Sequence, residues 1–255
     1  MNRGQGIVTF GIETKDKPIM EFQTANKAYE VASKLGFRTF VQIEGVTDGV
    51  YEPFSPETTN YDAPEGSGSG PTRDMIIGMN DVRVLEKNDK LGLDTDVLYF
   101  TLPGLDFAGM VRKTTFTNTG SDRKLLSSLD GPATFEPNGV DDWHLKNMGR
   151  TLEAWFKVYN MKKTDNTQPF AKLTASLADT AISTEIVQGN WALSFAEDGT
   201  RLPFVVDPSV VFGQDTALNV AQELQTKSIK EVVDGPQVMV SKTPCMFSGC
   251  LLYTS

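Results

Sequence analysis

The chain has 255 residues, a hydrophobic fraction of 39%, a charged fraction of 22% and a net charge of −9. That length and apolar content suffice for one large all-β domain or two small domains, and they exclude wholesale disorder. The acidic surplus repels phosphate backbones, which argues against a nucleic-acid partner.

In chain order, the N-terminal MNRGQGIVTFGIETKDK lacks the apolar stretch of a signal peptide, and no run approaches the roughly 20 apolar residues that span a bilayer. The expectation is a soluble cytoplasmic protein without a membrane partner. Ala25, Ala28, Tyr29, Ala32 and Leu35 fall at helical spacing, with Thr24 placed to cap the start and Gly36 to stop the helix. A strand over 37–44 follows, with Phe37, Thr39, Val41 and Ile43 on one face. Residues 52–72 read as a long loop, because Pro53, Pro56, Pro64 and the GSGSG tract at 66–70 cannot bury apolar surface alone.

Beyond Pro71 the pattern is almost entirely β. Strands are predicted over 75–85, 96–102, 110–117, 125–129, 152–160, 171–177, 191–195 and 238–242, separated by turns such as NTGSD, DGPA, EPNG and EDGT. Leu152, Ala154, Phe156 and Val158 alternate with Glu153, Trp155, Lys157 and Tyr159, as in a strand with one buried and one mixed face. Without helical crossovers the sheets are expected to be antiparallel and packed as a sandwich. The division expected is an N-terminal segment 1–72 and a β domain 73–249. Residues 250–255, Cys-Leu-Leu-Tyr-Thr-Ser, resemble the translation of a transposase adapter from sequencing libraries. That expectation leaves Cys245 as the single native cysteine, against the plainer reading of a short apolar terminus. Two cysteines are in any case too few for a disulfide scaffold.

The only histidine is His144, so a histidine-based triad or multi-histidine metal site is unavailable. His144 reads as a packing or hydrogen-bonding residue. Candidate carboxylates for glycoside chemistry are Asp130, Asp141, Asp142 and Asp179. Asp130 in LDGP reads as a turn residue, and Asp141-Asp142 as a solvated loop pair beside Trp143. Trp143, Trp155 and Trp191, with Tyr159, have the faces needed to stack on sugar rings, although strand aromatics usually pack between sheets. The candidate substrate contacts are Trp143, Trp155 and Asp142. The basic pairs Arg112-Lys113, Arg123-Lys124 and Lys162-Lys163 are too scattered to nominate a phosphate pocket.

One unbroken block, 97–160, carries a strand ending in Leu-Pro (99–103), the step Val111-Arg112 and the turn Asn118-Thr119. An LDG turn (129–131), a Pro-Gly segment (137–140) and the run 146–151 then lead into the aromatic strand 154–156. This arrangement resembles the N-terminal domain of the cellobiose phosphorylase-like group, glycoside hydrolase families 94 and 149. The similarity extends from Met75 to about Gly249 through PFAKLTAS, GNWAL, VDPSVVFG and TPCMF, and matches 1–72 only loosely. Where family 94 has an "ilPYG"-like segment this chain has FEPNG (135–139), a departure towards the family-149 β-1,3-glucan phosphorylases.

The resemblance implies a mainly β fold: an antiparallel, galactose mutarotase-like β-supersandwich with a short N-terminal helix. It also implies a helical linker and an (α/α)6 barrel in cis, in which phosphate attacks the anomeric carbon with inversion and releases glucose 1-phosphate. Inorganic phosphate is then a co-substrate, no cofactor or metal is expected, and the catalytic acid and phosphate ligands lie in the barrel. No catalytic residue carries over to this chain. The implied partners are a β-glucan or oligosaccharide, the barrel and a second copy in a homodimer, with loops 136–146 and 52–72 as contacts. The alternatives are a stand-alone carbohydrate-binding or structural sandwich, and a hydrolase using Asp130 with Asp142.

Overall fold

The computed structural model describes residues 10–11, 14, 16–28, 31–55, 70–162, 165–174 and 189–254. It is mainly β, with 38% strand against 16% helix, and its named sheets are antiparallel throughout. β1 (Phe10–Gly11) and β2 (Pro18–Met20) pair as a small ribbon. The one-turn helices α1 (Ala25–Ala28) and α2 (Ala32–Leu35) lead into β3 (Phe37–Ile43). A meander follows: β4 (Thr72–Ile77), β5 (Asp81–Asn88), β6 (Leu93–Thr101) and β7 (Met110–Asn118), each paired with the next. β8 (Lys124–Pro132) precedes α3 (Asp142–Met148), a 3₁₀ segment (Gly149–Trp155), β9 (Phe156–Tyr159), β10 (Phe170–Leu173) and β11 (Asn190–Trp191). The chain continues through β12 (Phe204–Val205), α4 (Ser209–Phe212), a 3₁₀ turn (Glu223–Gln225), α5 (Ile229–Asp234) and β13 (Phe247–Thr254).

The sheet β12-β13-β8-β3 forms a middle layer with a core on each side. On one side, Phe37, Val41, Ile43 and Leu126 meet Val84, Leu93, Val97 and Tyr99 of the meander. β6 supplies its half by simple alternation: Leu93, Thr95, Val97 and Tyr99 are buried, and the intervening residues are partly exposed. On the other side, Phe40, Leu129 and Phe247 pack on Val211 and Phe212 of α4 and on Ile229 and Val232 of α5. Each large aliphatic side chain buried here contributes about 1.5–3 kcal/mol over its exposed state. The third sheet, β11-β10-β9, joins this body through Phe135, Val158, Ala171, Phe204, Val206 and Met246.

Several expectations need correction. The single N-terminal helix is two separate turns, because Val31 leaves helical geometry at φ −119, ψ 19. Gly36 does end α2, as expected, in an extended conformation that feeds straight into β3. The stretch 75–85 is not one strand but a hairpin, turning at Gly78 between β4 and β5. The apparent strand 152–160 begins as 3₁₀ helix and becomes strand only at Phe156. The region after Pro71 is not almost entirely β, since α3, α4 and α5 all lie in it. Asp130 and Gly131 are not a turn. They lie inside β8, opposite Thr39 and Arg38. A Cβ on Gly131 would stand 1.9 Å from the Met246 carbonyl oxygen, so close approach of the chain requires glycine there. In the loop 52–72, residues 56–69, with Pro56, Pro64 and most of GSGSG, lie outside the described residues. Among the described residues no helix is long and apolar enough to cross a membrane.

Candidate functional site

The three-stranded sheet presents an open face built by strand alternation. β10 pairs with both neighbours, so Phe170 stands opposite Tyr159 and Trp191, Ala171 opposite Val158 and Asn190, and Lys172 opposite Lys157. Val158, Ala171 and Asn190 are buried on the inner face. Tyr159, Phe170, Trp191, Lys157 and Lys172 share the other face. Their rings form a cross-strand row: Tyr159 and Phe170 stack with centroids 5.0 Å apart, and Phe170 and Trp191 lie at 4.4 Å, tilted by 31°. Phe170 is covered by its two neighbours, whereas Trp191 stays 45% exposed. Lys157 Nζ lies 4.7 Å and Lys172 Nζ 5.6 Å from the Tyr159 ring centroid. A Cβ on Gly189 would stand 2.4 Å from the Phe170 ring, so the row needs glycine at the entry to β11. Leu193 and Phe195 extend the apolar exposure beyond Trp191. Val240 bridges to Lys157 on the far side and is also exposed. An aromatic row flanked by ammonium donors offers stacking surface next to hydrogen-bond donors, the combination that suits a sugar ring.

The residues singled out from the sequence are distributed differently. Trp143 sits on α3, 61% exposed, with its ring edge-on to His144. Asp141 is not on a free loop: it caps α3, accepting from the His144 backbone N–H at 2.9 Å and lying 2.8 Å from His144 Nδ1. Burial pushes the Asp141 carboxyl up, but its hydrogen bonds with His144 outweigh this and hold it below the usual aspartate range. Asp142 likewise belongs to a helix, in the first turn of α3, and pairs with Lys146 one turn later. Trp155 ends the 3₁₀ segment, half-buried against the cluster of Val140, Leu152 and Phe156. The partners of Trp143, Asp142 and Trp155 are therefore different ones: His144, Lys146 and the Val140–Leu152–Phe156 cluster. Asp130 is held between layers by Arg112, Thr39 and Thr114, so it is not paired with Asp142. Asp179 lies outside the described residues. Tyr159 and Trp191 are brought together, by way of Phe170.

A second feature lies at the start of the loop 136–146. Glu136 is buried, and its Oε2 has no hydrogen-bond partner. Burial pushes its pKa up to about 8, and the carboxylates of Glu21 and Glu153 act in the same direction. Beside it, Asn190 Nδ2 donates to the Glu136 carbonyl oxygen at 2.8 Å, while Asn190 Oδ1 is also buried without a partner. Glu153 accepts from Thr243 Oγ1 at 3.3 Å. In sequence, FEPNG looks like a surface turn, and no periodicity marks its glutamate as interior. Among the described residues, no group of His, Cys, Asp or Glu is placed to hold a metal ion.

No protein-family model matches this chain, and no curated protein matches it.

Proposed function

We propose that this chain is the non-catalytic, glycan-facing β domain of an inverting β-glucan or cello-oligosaccharide phosphorylase. Its sheets are the galactose mutarotase-like supersandwich of that group, and an (α/α)6 barrel in cis carries the chemistry. The observation that carries the reading is the aromatic row Tyr159–Phe170–Trp191, which leaves an indole exposed beside Lys157 and Lys172. Aromatic side chains combine a broad apolar face with polar groups at the rim, which matches the alternating faces and edges of a glucose unit. The block that carries the resemblance supplies scaffold: its Val-Arg step and its LDG segment meet where Arg112 pairs with Asp130. That division of labour suits a domain that positions a glycan while phosphate attacks elsewhere. In such a reaction phosphate is already an anionic nucleophile, so one carboxylic acid protonating the departing oxygen suffices. The setting proposed is cytoplasmic.

The test is isothermal titration with laminari- and cello-oligosaccharides. Trp191→Ala is expected to weaken binding at least about tenfold, roughly 1.4 kcal/mol, while Trp143→Ala on α3 changes it less than about twofold. No binding to either glycan, or equal binding by the Trp191 variant, would remove the reading. Glucose 1-phosphate is expected only when a downstream barrel is joined to the chain and phosphate is supplied. Phosphate-independent cleavage by this chain alone would favour a hydrolase instead.

A further inference from the structure

β11 is two residues long, and its backbone is held by two pairings with β10 and by the bond from Ala192 N–H to the Pro169 carbonyl. Its two side chains point opposite ways: Trp191 belongs to the open aromatic row and Asn190 to the interior. Asn190 is 3% exposed and Glu136 is 8% exposed. Because a carbonyl can only accept, the Asn190 amide must turn its NH₂ towards the Glu136 backbone oxygen, which fixes Oδ1 as the atom without a partner. The unpartnered atom of Glu136, Oε2, is an acceptor too when the carboxyl is ionised. Two buried acceptors with no donor are both left desolvated without compensation. Protonation turns one oxygen of a carboxyl from an acceptor into a donor. The charged groups acting on Glu136 are carboxylates: Glu21 after β2, and Glu153 in the 3₁₀ segment, which accepts from Thr243. Asp142 of α3 adds its charge to Glu21, and Gln23 is hydrogen-bonded there. This field favours the neutral acid.

We propose that Glu136 and Asn190 form a proton-held clasp, in which the acid on Glu136 Oε2 donates to Asn190 Oδ1 and fixes β11, so that loss of the proton frees Trp191 from the aromatic row. The residue that anchors one end is itself tied down: Glu136 N–H donates to the Ile19 carbonyl at 2.9 Å, and Asn138 N–H donates to the Ala171 carbonyl at 2.9 Å. The clasp therefore joins β2, β10 and β11. Its consequence for glycan binding rests on the function proposed above, but the clasp itself does not.

The sign follows from linkage. Glu136 keeps its proton in the folded chain at a pH where the unfolded chain has released it. The stability it contributes is complete below the ordinary glutamate range, and it is lost as pH rises towards about 8. The experiment uses Trp143→Phe/Trp155→Phe protein, so that the emission reports Trp191 alone, titrated without glycan from about pH 5 to about pH 9.5. The expected result is one transition, with a midpoint at least about two pH units above an ordinary glutamate, accompanied by a fall in thermal midpoint. Glu136→Gln, whose amide can donate to Asn190 Oδ1 at every pH, should abolish both changes. An unaltered transition in Glu136→Gln, or a carboxyl carbon resonance of wild-type Glu136 that titrates in the ordinary range, would overturn the clasp. So would recovery of the high-pH signal by added calcium, which would assign the two oxygens to a cation. Because glycan is absent, failure of glycan binding and failure of the clasp remain separate results.

Discussion

Arg112 shows how much one side chain can organise between two sheets. Its side chain is 4% exposed, and its guanidinium contacts Asp130 through Nε at 3.0 Å and Nη2 at 2.8 Å. Nη2 also donates to Thr39 Oγ1, Nη1 bonds the Tyr99 hydroxyl, and the group lies over the Phe37 and Tyr99 rings. Burial pushes the Tyr99 phenol up to about 12, so it serves as a neutral member of the network. A buried pair of this kind contributes little against a well-packed apolar substitute, but removing one partner strands the other charge. Asp130→Ala is therefore expected to cost about 3–5 kcal/mol. Arg112→Met with Asp130→Leu should cost clearly less than the single change. Urea denaturation of the three proteins decides it, and a double variant no more stable than Asp130→Ala would show that the loss is not that of a stranded charge. Neither role was visible in the sequence. Asp-Gly is a favoured turn pair, so Asp130 reads as exposed, and only the pairing of β8 with β3 places it inside. Arg38 is a second buried arginine: β3 is buried on both faces, so its side chain ends in bonds to Glu52 and to the Leu218 and Asn219 carbonyls.

Which elements can be read from sequence follows from how many residues repeat the pattern. β6 and β7 run for nine residues each, so alternation identifies them and their hairpin. α4 and α5 have four and six residues with two buried positions each, too few to show a helical period. The 3₁₀ segment even imitates a strand, because Leu152 and Phe156 sit on the interior side of successive elements. The sequence carries one local signal for α5, the Ser-x-x-Glu spacing of Ser228 and Glu231. In the structure it is a complete capping box: Glu231 N–H donates to Ser228 Oγ at 3.2 Å, and Ser228 N–H donates to Glu231 Oε2 at 2.8 Å. The helix has little else to start it, yet it seats Ile229 and Val232 in the core behind the middle sheet. Ser228→Ala should lower stability by about 1 kcal/mol with an unchanged denaturant slope, whereas Ser228→Asp should retain most of it. Equal loss in both would mean that the cap is incidental. The aromatic row was half legible by the same logic. Tyr159 and Trp191 stand out as residues, but Phe170 joins them only through the register of three strands far apart in sequence.

Among the described residues, the layered arrangement leaves one margin uncovered. The middle sheet carries a core on both sides, and the meander closes one of them with β5, β6 and β7. β4 lies beyond that footprint: all six of its residues are exposed, and among the described residues it is paired with β5 alone. Met75, Ile76 and Ile77 thus stand on an open strand edge, with a fully exposed Met79 at the adjoining turn. Such an edge offers unpaired backbone groups beside apolar side chains, the combination through which sheets join end to end. The net charge of −9 opposes that joining by mutual repulsion. Repulsion between exposed charges is screened over about 10 Å at 0.1 M salt, whereas strand pairing and apolar burial are not. Association is therefore expected to grow with added salt, and again as the carboxylates neutralise towards acid pH. Ile77→Glu places a charge on the strand without removing a core contact, since Ile77 is 73% exposed. The variant should stay monomeric in light scattering at salt concentrations where the parent associates, with a stability change within about 0.5 kcal/mol. Association that is unaffected by the substitution would move the contact away from β4, to the aromatic face of β9, β10 and β11, where Trp191→Ala would then suppress it.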